Sequence, residues 1–139
     1  MCEVFIRADP SSYESRTRSV RLHGVVTSIR LENLHWEVLA EIGARDGMSV
    51  AHLLERLYDE LVEARGEVGN FASFLRVSAL RYMALQAHQR IPVDNSVPIR
   101  SLDAREVLDR LPPSWATPSR NPGDKPGPGV HPGYELHAQ

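Results

Sequence analysis

The sequence predicts a mainly α-helical fold that carries a short β-ribbon. Residues Val25 to Glu32 alternate as a strand does, and the two segments after them, LHWEVLAEIGARDG and MSVAHLLERL, space their apolar residues as amphipathic helices do. Asn33 and Ser49 stand where helix N-caps are favoured, and Gly47 stands where a helix is most easily stopped.

In the strand, Thr27, Ile29 and Leu31 share one face, and Val26, Ser28 and Arg30 share the other. The first helix presents Trp36, Leu39 and Ile42 at helical spacing; the second presents Val50, Leu53, Leu54, Leu57 and Leu61. Ile29, Leu31, Trp36, Leu39, Ile42, Leu53, Leu54 and Leu57 are therefore the expected core. A strand–helix–helix unit of about forty residues buries too little apolar surface to fold alone. Its single strand also leaves an edge of unpaired backbone groups. Pairing that strand with its copy in a second chain answers both problems, so the expected assembly is an intertwined two-fold dimer with no stable folded monomer.

Upstream, Val20 and Leu22 alternate in the opposite phase to Ile29 and Leu31. A hairpin turning at His23-Gly24 brings all four to one side and adds an extra N-terminal strand; a bulge at Gly24 would also reset the phase. With that strand the dimer presents four strands rather than two. Residues 1–18 read as an extended arm and residues 19–90 as the main domain. That domain includes a third packed helix from Phe71 to about Arg90, capped by Asn70, with a stripe of Phe71, Phe74, Leu75, Ala79, Tyr82 and Met83. Residues 91–111 read as an extended segment and a short helix from Ser101. Residues 112–139 are rich in Pro and Gly and read as a disordered or loosely docked tail.

The net charge of −2 conceals a gradient. Arg16, Arg18, Arg21 and Arg30 stand without an acid between Arg16 and Leu31, whereas nine acids lie between Glu32 and Glu67. A basic strand over acidic helices suits a protein that turns one edge to an anion. The single cysteine, Cys2, excludes an intramolecular disulfide, and no apolar run approaches a membrane span. The expected location is the cytoplasm.

In strand–helix–Gly-x-Ser–helix order, Val25 to Arg65 resembles the ribbon-helix-helix family of Arc and MetJ type. The stretches TRSVRLHGVVTSIRLEN and GEVGNFASFLRV also look like a small bacterial ribbon-helix-helix family of predicted DNA-binding proteins. The resemblance implies a homodimeric transcriptional regulator that reads double-stranded DNA with an antiparallel ribbon in the major groove. By position it makes Val26, Ser28 and Arg30 base contacts, with Arg30 suited to guanine, Ser28 to either base type and Val26 to a thymine methyl. It makes Met48, Ser49 and Val50, at the start of the second helix, a phosphate clamp. Arg16, Arg18 and Arg21 form a basic arm that reaches backbone phosphates or pairs with helix acids such as Glu37 and Glu41. The alternative function is a dimeric protein-interaction module without specific DNA binding, its partners held by the acidic helices or the C-terminal tail.

The Met-Cys start is similar to that of class II glutamine amidotransferases, whose N-terminal cysteine is the nucleophile. The chain is too short for their layered fold and lacks its strands. No metal-ligand spacing, phosphate loop or Ser-His-Asp pattern is present in the sequence, so neither an enzyme, a metal nor a cofactor is expected.

Overall fold

A computed structural model describes residues 2–111. A one-turn helix, α1 (Glu3–Ile6), and a 3-10 turn (Pro10–Tyr13) lead into two antiparallel strands, β1 (Ser15–Leu22) and β2 (Val25–Glu32). Three helices follow, α2 (Asn33–Arg45), α3 (Val50–Arg65) and α4 (Phe71–Ala87), then a 3-10 turn (Ile99–Ser101) and α5 (Ala104–Leu108). This is the expected ribbon followed by helices, with the added strand and the third packed helix in place. The expected tail, residues 112–139, lies outside the described residues.

The strands join as the phase conflict requires. Leu22 pairs with Val25 and Val20 with Thr27 across a two-residue turn. His23 and Gly24 take positive φ, 48° and 78°, which matches the turn twist that joins right-twisted strands most readily. Val20, Leu22, Ile29 and Leu31 thereby face one side, and all four are buried.

Beneath that face, Trp36 and Leu39 of α2, Leu53 and Leu54 of α3 and Leu75 of α4 complete the main core. Ile42 and Leu57, expected within it, are only half-buried at its margin. On α4 the buried stripe is Leu75, Ala79, Tyr82 and Leu85. Met83, expected in it, remains 47% exposed because Tyr82, about 100° away around the helix, faces the core instead. The forty-residue unit was too small by itself, but β1 pairs one edge of its strand and α4 adds Leu75 to its core.

The N-terminal region departs from the extended-arm expectation. Val4-Phe5-Ile6 forms the single turn of α1, with those side chains 78%, 72% and 76% exposed. β1 begins at Ser15, so Arg16 and Arg18 are strand residues. Asn33 is the first residue of α2, not its cap, which is Glu32 without a side-chain bond. Asn33 instead donates from Nδ2 to the Ser11 carbonyl at 2.9 Å and from its backbone N–H to Glu14 at 2.8 Å. A long-range partner takes the side chain that a local argument assigned to capping. Ser49 and Asn70 do cap α3 and α4, accepting from the backbone N–H of His52 and Ser73 respectively.

The segment 91–111 docks on a second apolar cluster, where Tyr82, Leu85 and Ile91 meet Val38, Ile99, Leu102 and Val107. A buried arginine holds it there. Arg45 is 5% exposed and donates to the carbonyls of Pro92 at 2.9 Å, Asp94 at 3.1 Å and Val97 at 3.0 Å. It also donates to the Tyr82 hydroxyl at 3.2 Å. Three loop carbonyls and the Tyr82 hydroxyl thus take four of its five donors, without a counter-carboxylate at hydrogen-bond distance.

Candidate nucleic-acid interface

The hairpin register fixes which side chains leave the sheet on its outer face. Thr17 pairs with Arg30, Ser19 with Ser28 and Arg21 with Val26, and all six residues are exposed. Val26, Ser28 and Arg30 therefore stand outward as the alternation predicted. Thr17 and Ser19 join them, and the sequence reading left those two out. The signal for them was the hairpin itself, because once Leu22 pairs with Val25 every second residue of β1 must face outward.

The basic arm divides. Arg21 lies on the outer face and donates from Nη1 to the Gly24 carbonyl at 3.1 Å, across the turn. Arg16 and Arg18 alternate with it and lie on the inner side, at the end of the sheet. There the Arg18 guanidinium sits 5.4 Å from the centre of the Trp36 ring, and Trp36 Nε1 donates to the Arg16 carbonyl at 2.9 Å. Neither Arg16 nor Arg18 pairs with Glu37 or Glu41, so that proposed pairing is not the one formed.

Glu32, two residues beyond Arg30 on β2, is ionised and paired. Burial pushes the Glu32 carboxyl upward, but hydrogen bonds from Arg76, its own backbone N–H and His35, with the Arg76 charge, outweigh that and hold it at about 2. Arg76 Nε donates to Glu32 Oε2 at 3.0 Å and His35 Nδ1 lies 2.9 Å from the same oxygen. Arg76 Nη2 also donates to the Arg30 carbonyl at 3.2 Å. Arg21 and Arg30 thus face outward as basic groups, and Glu32, in phase with Arg30 at the end of the register, is held by Arg76.

One edge of β2 is taken by β1 and the other is free. The residues that close a two-residue hairpin exchange both hydrogen bonds, so Val25, Thr27, Ile29 and Leu31 pair inward to β1. The N–H and C=O groups of Val26, Ser28 and Arg30 point to the free edge. A groove of about 870 Å³ runs beside that edge, bounded by Tyr58 and by Phe71, Ala72 and Arg76 of α4.

At the start of α3, Ser49 is exposed and its hydroxyl caps His52 at 3.2 Å. The Met48 and Val50 side chains pack against the core, so this turn offers an anion no charge, but the backbone N–H groups of Val50 and Ala51, which have no intrahelical acceptor, and the Ser49 O–H.

Residues 15–83 match the family model of the ribbon-helix-helix domain. The chain belongs to that family. Proteins with ribbon-helix-helix domains are generally DNA-binding transcription regulators and typically bind DNA as dimers. The domain is typically regulatory and not enzymatic. Among solved structures, this ribbon-helix-helix chain is similar to an uncharacterized protein from Bordetella pertussis Tohama I, at 63% identity and a TM-score of 0.84. That likeness covers 87% of this chain and 96% of the other. No curated protein matches the chain. Among the described residues, no helix is long and apolar enough to cross a membrane, and no group of three or more His, Cys, Asp or Glu could hold a metal ion.

Proposed function

We propose that this ribbon-helix-helix chain is a cytoplasmic bacterial transcription regulator that binds double-stranded DNA as a homodimer and reads the major groove with β2. The observation that carries this reading is the outer face of the hairpin, where Arg30, Ser28 and Val26 stand exposed and the next acid along β2, Glu32, is paired with Arg76. Arg30 suits the paired O6 and N7 acceptors of guanine, Ser28 suits either base type, and Val26 suits a thymine methyl. The second copy adds along the free edge of β2, Ser28 opposite its own copy, because an unpaired strand edge is a template for another strand. Phosphate contact at the start of α3 rests on the backbone beside Ser49, as Met48 and Val50 contribute no charge.

A second reading, a dimeric interaction module without DNA, draws support from the outer face of α4. Val77 and Leu80 are 61% and 59% exposed there, an apolar surface of the kind that partners cover.

Selection from a random-sequence duplex pool at several salt concentrations separates the two. A regulator enriches one sequence, bound with a stoichiometry of two chains. An absence of enrichment, with all binding lost by about 0.2 M salt, marks charge attraction alone and removes the regulator reading.

A further inference from the structure

The outer strand β1 has no part in the reading above, yet it carries its own outward row. Thr17, Ser19 and Arg21 lie directly across from Arg30, Ser28 and Val26, and all are exposed. The row holds two hydroxyls and a guanidinium, with no acid and no large apolar side chain. An exposed face of that chemistry donates hydrogen bonds and positive charge, and offers little for an apolar partner.

Strand spacing decides where this row must lie. In a dimer joined at the free edges of β2, the order is β1, β2, then the partner's two strands, with β1 outermost. Neighbouring strands are about 4.8 Å apart, so the two outer strands are separated by about 14 Å. The major groove is about 12 Å wide. The inner pair of strands fits within it; the outer pair does not, and comes to rest over the sugar–phosphate rims.

We infer that β1 is a phosphate-binding strand, in which Thr17, Ser19 and Arg21 contact the backbone oxygens that flank the groove read by β2. This rests on the DNA-binding reading. Ser19 and Thr17 are short enough to let the sheet approach closely, and each hydroxyl can donate to a phosphate oxygen. Arg21 spends one of its donors on the Gly24 carbonyl at 3.1 Å, and the rest of its guanidinium remains available at the hairpin tip. The contact orients the sheet without reading sequence, which leaves discrimination to Arg30, Ser28 and Val26.

The test uses the full chain and two fluorescein-labelled duplexes, one enriched from the random pool and one with its sequence scrambled, read by anisotropy across a salt series. Thr17→Val combined with Ser19→Ala keeps the strand and removes both hydroxyls. It should weaken both duplexes by the same factor, about fivefold or more. Arg21→Gln should lower the slope of log affinity against log salt by about one per bound chain, again for both duplexes alike. Variants that bind both duplexes as the native chain does would overturn the inference while leaving β2 as the reader. Variants that change the preference between duplexes would place β1 against bases and overturn it equally. A native chain that binds neither duplex removes the DNA reading itself, an outcome distinct from both.

Discussion

Arg76 and Glu32 stand 44 positions apart in the chain and 3.0 Å apart at Nε and Oε2. Their contact ties α4 to the end of β2, and the second hydrogen bond from Arg76 reaches the Arg30 carbonyl on the free edge of the same strand. β2 is therefore braced from α4 as well as from β1.

A pH dependence follows from this pair. The Glu32 carboxyl falls from 4.5 to about 2 in the folded chain. A depressed carboxyl stabilises the fold fully above its unfolded value and loses that contribution as pH falls through its folded value. Thermal melts of the native chain and Glu32→Gln should differ by a constant amount above about pH 5 and converge toward pH 2. The plateau should be roughly 1–2 kcal/mol, low for charged hydrogen bonds because both side chains keep some water. A difference that does not change with pH would show that the pair contributes nothing through its charge.

Arg45 gives a second prediction. Arg45→Met removes the donors that hold the Pro92, Asp94 and Val97 carbonyls. The cost should be about 2–4 kcal/mol, and Arg45→Lys should recover little of it because an ammonium cannot reproduce the planar fork. Limited proteolysis should cut first within residues 92–103, before the hairpin and α3. Equal protection of that segment in the variant would show that the second apolar cluster holds it unaided.

The third concerns Gly43, where a Cβ would lie 2.8 Å from the Met48 carbonyl. The turn between α2 and α3 closes over this position, and Met48 donates its N–H to the Gly43 carbonyl at 2.8 Å. Gly43→Ala should destabilise by about 1–3 kcal/mol despite its better helix propensity, since the obstructing atom is backbone. A rise in melting temperature would mean that the turn shifts without strain.

These three residues mark where the sequence stops being legible. The ribbon and its turn were readable because the phases of Val20 and Leu22 conflict with those of Ile29 and Leu31, and only a reversal near Gly24 reconciles them. The caps at Ser49 and Asn70 were readable because a cap is satisfied within three residues. Arg45 was not, since its position at the end of α2 equally suits a solvated charge; its burial depends on carbonyls some fifty residues later. Arg76 is one of two arginines on α4, with Arg81 the other, and nothing local marks which of them reaches β2; Gly43 reads as an ordinary helical residue. A unit of one strand and two helices needs a second chain to complete its core, and β1 and Leu75 supply part of what that unit lacks. The outward positions of β2 were placed by alternation alone, while the inward turn of Arg16 and Arg18 required the register of the other strand.

That division of the arginines gives the last prediction. Arg18 was grouped with the phosphate-contacting arm, but its guanidinium lies over the Trp36 ring at 5.4 Å on the inner side of the sheet. Arg18→Ala should therefore lower stability by roughly 0.5–1 kcal/mol, the worth of an exposed cation–π contact, and leave DNA affinity and its salt slope nearly unchanged. Arg30→Ala should do the reverse. Its side chain is exposed, so the melting temperature should hold, while about 1–3 kcal/mol of discrimination is lost at the base pair it contacts. Circular dichroism melts and anisotropy titrations on the same preparations check both halves. Selective binding that survives Arg30→Ala would take β2 out of the reading. A fall in salt slope with Arg18→Ala would return that residue to the phosphate backbone and show that the Trp36 contact yields to DNA.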